Sequence, residues 1–221
     1  MSDNFDPALT DTSDMPALHA VFRKAFGAAP YLVGEAPADD TGRSALVGSY
    51  YDNVLRLLHA HHGGEDELVW PKLLERCPDQ AELVSEIAAQ HEAVSTLMEI
   101  TMAQLQQWAG SASGHDAAAL TESMRLLSNE LDAHLDEEEA EILPLCARYI
   151  TQQEWAELPE HGFKHFDGDK PWLILGLIFD NMPGGVADHV LANMPPPVAQ
   201  MWANFGSTAY ADFMADLAMQ A

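Results

Sequence analysis

Two stretches decide the fold of this 221-residue chain: His61-His-Gly-Gly-Glu-Asp-Glu-Leu-Val-Trp-Pro71 and His134-Leu-Asp-Glu-Glu-Glu-Ala-Glu-Ile-Leu-Pro144. Both read His-x-x-x-Glu, with a proline six residues after the glutamate. Residues four apart lie one turn apart on the same helix face, so each stretch can turn an imidazole and a carboxylate toward one interior point. The two copies are 73 residues apart, and His19 and His91 stand 42 and 43 residues ahead of them. The second half of the chain is thus an approximate copy of the first. Folded as antiparallel hairpins, the halves would place four histidines and two glutamates around one cavity.

The stripes around these motifs are helical. Asp14-Met-Pro-Ala is a helix-start signal, with Asp14 as the cap and Pro16 in the first turn, and Leu18, His19, Phe22 and Phe26 follow on one face. Gly27 to Gly42 carries Pro30, Gly34 and Pro37 and reads as a connection. Ser44 to Arg76 repeats Val54, Leu58, His61, Glu65 and Leu68 at alternating four- and three-residue steps, the pattern of a bundle-facing stripe. Ala81 to Ala109 turns Val84, Ile87, His91, Val94 and Met98 inward, and His115 to Tyr149 does the same with Leu127, Leu131, His134, Glu138 and Ile142. The expected fold is all-α: an up-down-up-down four-helix bundle over residues 14–150, after a loose N-terminus at 1–13. Residues 151–221 contain repeated prolines yet keep apolar runs, which predicts a C-terminal helical extension packed on the bundle rather than disorder.

Composition narrows the partners. Ten Lys and Arg against 35 Asp and Glu give a net charge of -25, which repels phosphate backbones and anionic membrane surfaces. No nucleic-acid or membrane partner is expected. The longest apolar run, Trp172 to Phe179, is too short to span a bilayer, and the acidic start lacks the basic and apolar regions of a signal peptide. The sequence reads as cytoplasmic, a monomer or a weak dimer, with Cys77 and Cys146 as reduced thiols outside any paired metal motif.

Any one of these histidines alone would be an ordinary surface or packing residue. Their shared spacing, internal repeat and bundle-facing positions change that reading, because carboxylates on an apolar stripe cost several kcal/mol unless a cation lies between them. Imidazole with carboxylate suits iron, zinc, copper or manganese, and the lack of nearby thiolates argues against a structural zinc cluster. Glutamates able to bridge favour two metals, with iron the best candidate. The Glu-x-x-His pairs of ferritin-like bundles are absent from the bundle positions. His62 and Asp66 are also four apart, and His59 shares their face. His61 and Glu65 are preferred because they alone match the proline-anchored spacing of His134 and Glu138. His161 and His165 form a further pair, but Gly162 weakens a helix there, so surface or packing roles are expected, as for His115 and His189.

The segments holding His19, His61 with Glu65, His91, and His134 with Glu138 resemble the four ligand helices of the hemerythrin HHE family. The run around His61 is similar to that of actinobacterial members. The resemblance implies two iron ions bridged by Glu65 and Glu138, capped by the four histidines and completed by an oxo or hydroxo bridge. It implies small ligands: O2, peroxide or NO. Oxygen-carrying members place a second histidine four residues along helix 3, where this chain has Ser95. One metal would then be open, or would recruit Tyr50, Tyr51, His62 or Glu92. Three functions follow: binding or sensing a small ligand, a catalase-like enzyme consuming peroxide, or iron homeostasis and storage, although nothing in the sequence builds a storage cage.

Overall fold

The structure, a computed structural model, describes residues 9–182, 187, 190, 191 and 194–219. Four long helical segments form the body: α1 (Asp14–Gly27), α3 (Thr41–Leu68), α5 (Ala81–Ser111) and α6 (Gly114–Glu137). Each packs on its chain neighbours and α1 closes the ring against α6. His19 near the start of α1 lies beside Glu138 just past the end of α6, and His91 in the first half of α5 lies beside Glu65 near the end of α3. Those contacts require antiparallel neighbours, the arrangement of an up-down-up-down bundle.

Local chemistry sets the helix ends. α3 begins earlier than the stripe predicted, because Asp40 accepts a hydrogen bond from the Arg43 backbone N–H at 2.9 Å and serves as N-cap. It ends at Leu68, where Pro71 has no N–H to return to Glu67, and the chain restarts as α4 (Trp70–Arg76). The second copy meets the same obstacle at Pro144 and widens instead into a π-helical turn, Glu138–Ile142, before α7 (Leu143–Tyr149). Such turns recur at functional sites. The connection before α3 holds one short helix, α2 (Ala29–Leu32).

Two predicted details change. Asp14 does not cap α1: Ser13 is at the N-cap, and the Asp14 carboxylate accepts the Trp155 indole N–H at 3.0 Å. Residues 9–13 are not loose, since the Thr10 backbone N–H donates to Ala147 O at 2.9 Å and its hydroxyl to Ile150 O at 2.5 Å. The rest of the expected loose N-terminus, residues 1–8, lies outside the described residues.

Among the described residues the extension holds α8 (Gln152–Trp155), α9 (Glu157–His165), α10 (Pro171–Asn181), α11 (Pro196–Met201), a π-helical turn (Trp202–Gly206) and α12 (Ser207–Ala218). α9 packs on α3, and α10 on α1 and α12. Gly162 lies inside α9 and does not break it. Arg43 donates to the backbone oxygens of Leu217 at 2.8 Å and Met219 at 3.2 Å, fastening the end of α12. Asn53, fully buried on α3, accepts from the Lys170 N–H and donates to Asp169, each at 2.9 Å. Asn53→Ala leaves the half-buried Lys170 backbone N–H without its acceptor and frees the exposed Asp169. It should cost about 2 kcal/mol and expose the 166–170 linker to limited proteolysis while α5 and α6 stay protected from hydrogen exchange. Among the described residues no helix is long and apolar enough to cross a membrane.

Two apolar clusters fill the interior. One holds Phe22, Leu58, Val94 and Leu131; the other holds Met15, Val69, Ile87 and Ile142. On each bundle helix the histidine or His-Glu pair falls between them, so the polar residues form a thin layer sandwiched by hydrocarbon.

Candidate metal centre

Five imidazoles and two carboxylates meet in this layer. His19, His61, His62, His91, His134, Glu65 and Glu138 are all buried, none more than 8% exposed. The Nε2 atoms of all five histidines, both Glu65 oxygens and Glu138 Oε2 are shielded from solvent and have no hydrogen-bond partner. Native interiors rarely strand one buried polar atom, and eight converging in one layer call for a positive charge between them. The donors fall into two sets, His19, His61, Glu65 and Glu138 in one and His62, His91 and His134 in the other, with ligand atoms within 4.8 Å of one another in each.

The carboxylates span the sets. Glu65 turns Oε1 to His61 Nε2 and Oε2 to His91 Nε2, both at 3.5 Å. Glu138 Oε2 lies 3.5 Å from His19 Nε2 and 3.7 Å from His134 Nε2. These separations exceed a hydrogen bond and leave space between donors. Burial, reinforced by Glu138, pushes the Glu65 carboxyl well above the usual carboxylate range, and burial raises that of Glu138. Burial and neighbouring imidazoles hold His61 and His62 well below the ordinary histidine range and bring His134 down to about 3. His61, His62 and His134 are therefore neutral, the form that binds metals.

A second layer aims three rings. His19 Nδ1–H donates to Glu139 at 2.8 Å, and Arg23 donates to the same oxygen at 2.6 Å. His19 and Arg23 together bring the Glu139 carboxyl down to about 2. His91 Nδ1–H donates at 2.7 Å to Asp66, which also accepts the Trp70 indole N–H at 2.9 Å. His134 Nδ1–H donates at 2.9 Å to Gln90, whose amide donates onward to Glu137. Each bond fixes the tautomer so that the Nε2 lone pair points inward, as second shells of metal-bound histidines do. Gln90→Leu should weaken metal binding about 10- to 100-fold without unfolding the chain, measured by competition with a chelator.

The structure brings together His19, His61, Glu65, His91, His134 and Glu138, and adds His62, whose ring stacks on His91 at 4.0 Å between centroids. Asp66 lies outside as the partner of His91. His59 is exposed, and Tyr51 donates its hydroxyl to Ala25 O at 2.9 Å. Tyr50 packs edge-on against Tyr51 in the apolar cluster that holds Phe22 and Leu58, and Glu92 is exposed. A cavity of about 200 Å3, half polar and half apolar and lined by His59, His62, Asp66, His91, Glu92 and Ser95 among others, reaches the layer from the α3–α5 side. His115 is exposed, and His189 lies outside the described residues. His161 sits against Glu67 at 3.0 Å and stacks on His165.

Residues 10–146, more than half the chain, match the Hemerythrin HHE cation binding domain. The chain belongs to the hemerythrin HHE family. It is accordingly a cation-binding helical bundle, and the buried His and Glu layer is compatible with that role. Neither the curated proteins nor the solved structures compared with it gave a match. The HHE match ends before α8, so the extension is a feature of this chain outside the matched domain.

Proposed function

We propose that this HHE protein is a non-haem di-iron protein that binds or senses a small ligand, O2, peroxide or NO. The observation that carries the reading is the placement of Glu65 and Glu138, each between two sets of imidazoles, with both Glu65 oxygens and Glu138 Oε2 unpartnered. One ion would be held by His19 and His61, the other by His62, His91 and His134, with both carboxylates spanning them. Five imidazoles and two carboxylates offer at most nine donor atoms, short of the about twelve that two six-coordinate ions take. The shortfall accommodates an oxo or hydroxo bridge and an exchangeable ligand. Two ferrous ions bound there would supply two electrons to such a ligand. The chain's own work is to keep His61, His62 and His134 neutral, give up the protons of Glu65 and Glu138 on loading, and exclude water with the flanking apolar clusters.

The test is anaerobic reconstitution followed by a metal count and absorption spectra before and after peroxide. Two irons per chain are expected, and fewer than about one per two chains would sink the proposal. The cavity beside Ser95 supports a second reading, peroxide consumption, because it offers a small polar molecule a route to His62 and His91. Oxygen evolved from peroxide over many turnovers selects the enzyme; a reversible spectral change without turnover selects the binding protein.

A further inference from the structure

On the opposite side of the metal layer, between α1 and α3 of the bundle and α9 and α10 of the extension, lies a cavity of about 220 Å3. Its floor is Leu57, Ala60, His61 and Gly64, one continuous face of α3, and Leu18 closes the α1 side. Phe163 from α9 and Ile174 and Ile178 from α10 form the facing walls. Gly64 permits the approach of α9: a β-carbon there would meet Leu158 and His161 at 3.3 Å. Since these walls come from beyond residue 146, the matched HHE domain does not enclose this space alone.

The lining states what it can hold. Its titratable groups, among the described residues, are Asp14 and His61. The Asp14 carboxylate is engaged by the Trp155 indole, and the His61 ring belongs to the metal layer. Among the described residues no free charge remains on the lining to recognise an ion or a sugar, and the rest of that lining is almost entirely hydrocarbon. The cavity is partly open to solvent, unlike the closed apolar cavities of about 150 Å3 that stay dry and take up benzene or xenon, so a ligand can enter without the fold opening. The larger volume here fits a ring with one or two further carbons.

We propose that the extension builds a binding site for a small uncharged monoaromatic hydrocarbon, of toluene size, held against the outer face of the His61 ring. Its occupation needs no metal; only its role as a second reactant or effector rests on the di-iron reading.

The probe is fluorobenzene, followed by 19F NMR on the full chain, iron-loaded and metal-free. A saturable bound resonance is expected in both forms below the aqueous solubility of the probe. It should vanish in Ile178→Trp and in Phe163→Trp, which fill the cavity from two walls, with folding checked by circular dichroism. If neither variant folds, transfer of magnetisation from bound probe to the Ile174 and Ile178 methyls of the unaltered chain decides. Absence of saturable binding overturns the proposal, as does binding that survives both folded variants or shows no transfer to those methyls. A chain that binds fluorobenzene yet loads no iron overturns the di-iron reading alone; one that loads iron without binding the probe overturns the cavity site alone.

Discussion

Replacing Glu65 by leucine is expected to abolish dinuclear loading and, in the same protein, to raise the thermal midpoint of the metal-free form. Glu65 is 1% exposed and neither of its oxygens has a partner, so without metal it leaves an unsatisfied carboxyl in the apolar interior. Leucine of similar volume removes that burden, worth about 1–3 kcal/mol, or roughly 2–4 °C in midpoint for each kcal/mol in a chain of this size. Metal reverses the order, because the unaltered protein gains binding energy that the variant cannot. The pH dependence has a definite sign. The folded state holds the Glu65 proton more tightly than the unfolded chain does, so the metal-free unaltered protein loses stability as pH rises above 4.5, the ordinary glutamate value. The advantage of Glu65→Leu should therefore widen with rising pH and shrink in acid. Glu139→Leu is the contrast: its carboxylate is already paired with His19 and Arg23, so its loss should destabilise both forms. Calorimetry with and without chelator reads all of this. A metal-free Glu65→Leu protein that melts below the unaltered one would mean that the Glu65 carboxyl has a partner in the metal-free form.

The bundle and the paired motifs were legible because helical period alone decides which residues share a face. His19, His61, Glu65, His91, His134 and Glu138 each fall where the apolar stripe would put a core residue, and no tertiary knowledge is needed to see it. His62 was harder to place. Consecutive residues lie about 100° apart on a helix, so a single stripe through His61 leaves His62 off it. α3 packs between two neighbours, however, and presents His61 toward α1 and His62 toward α5. A signal for this exists in the sequence: Tyr50 with Tyr51, Val54 with Leu55 and Leu57 with Leu58 are adjacent apolar pairs recurring every three or four residues, and all six are buried. The second layer was not legible. Gln90, Glu139 and Asp66 each stand one residue from a histidine or glutamate of the site, and only side-chain reach across helices makes them partners. The seat of the extension was equally hidden, since it depends on Arg43 and Asn53, more than 100 residues distant in sequence from what they hold.

On the proposed di-iron reading, His62→Ala should remove one of two metals. The set formed by His62, His91 and His134 has three imidazoles and draws its carboxylates from the shared pair, so losing one donor should weaken that ion by more than the about 10- to 100-fold that a lost second-shell partner costs. His61→Ala should weaken the other ion instead, and His59→Ala, with its exposed ring, should change neither. The decisive variant is the double substitution His62→Ala with Ser95→His. Ser95 is one turn beyond His91 on α5 and lines the same cavity as His62, so a histidine there can project into the space that the alanine vacates. Recovery of the second metal in the double variant, counted against His62→Ala alone, would mean that His62 on α3 fills the coordination position that a helix-3 histidine supplies in oxygen-carrying relatives. Full loading of His62→Ala at unaltered affinity would exclude His62 from the site and return the open position to Ser95.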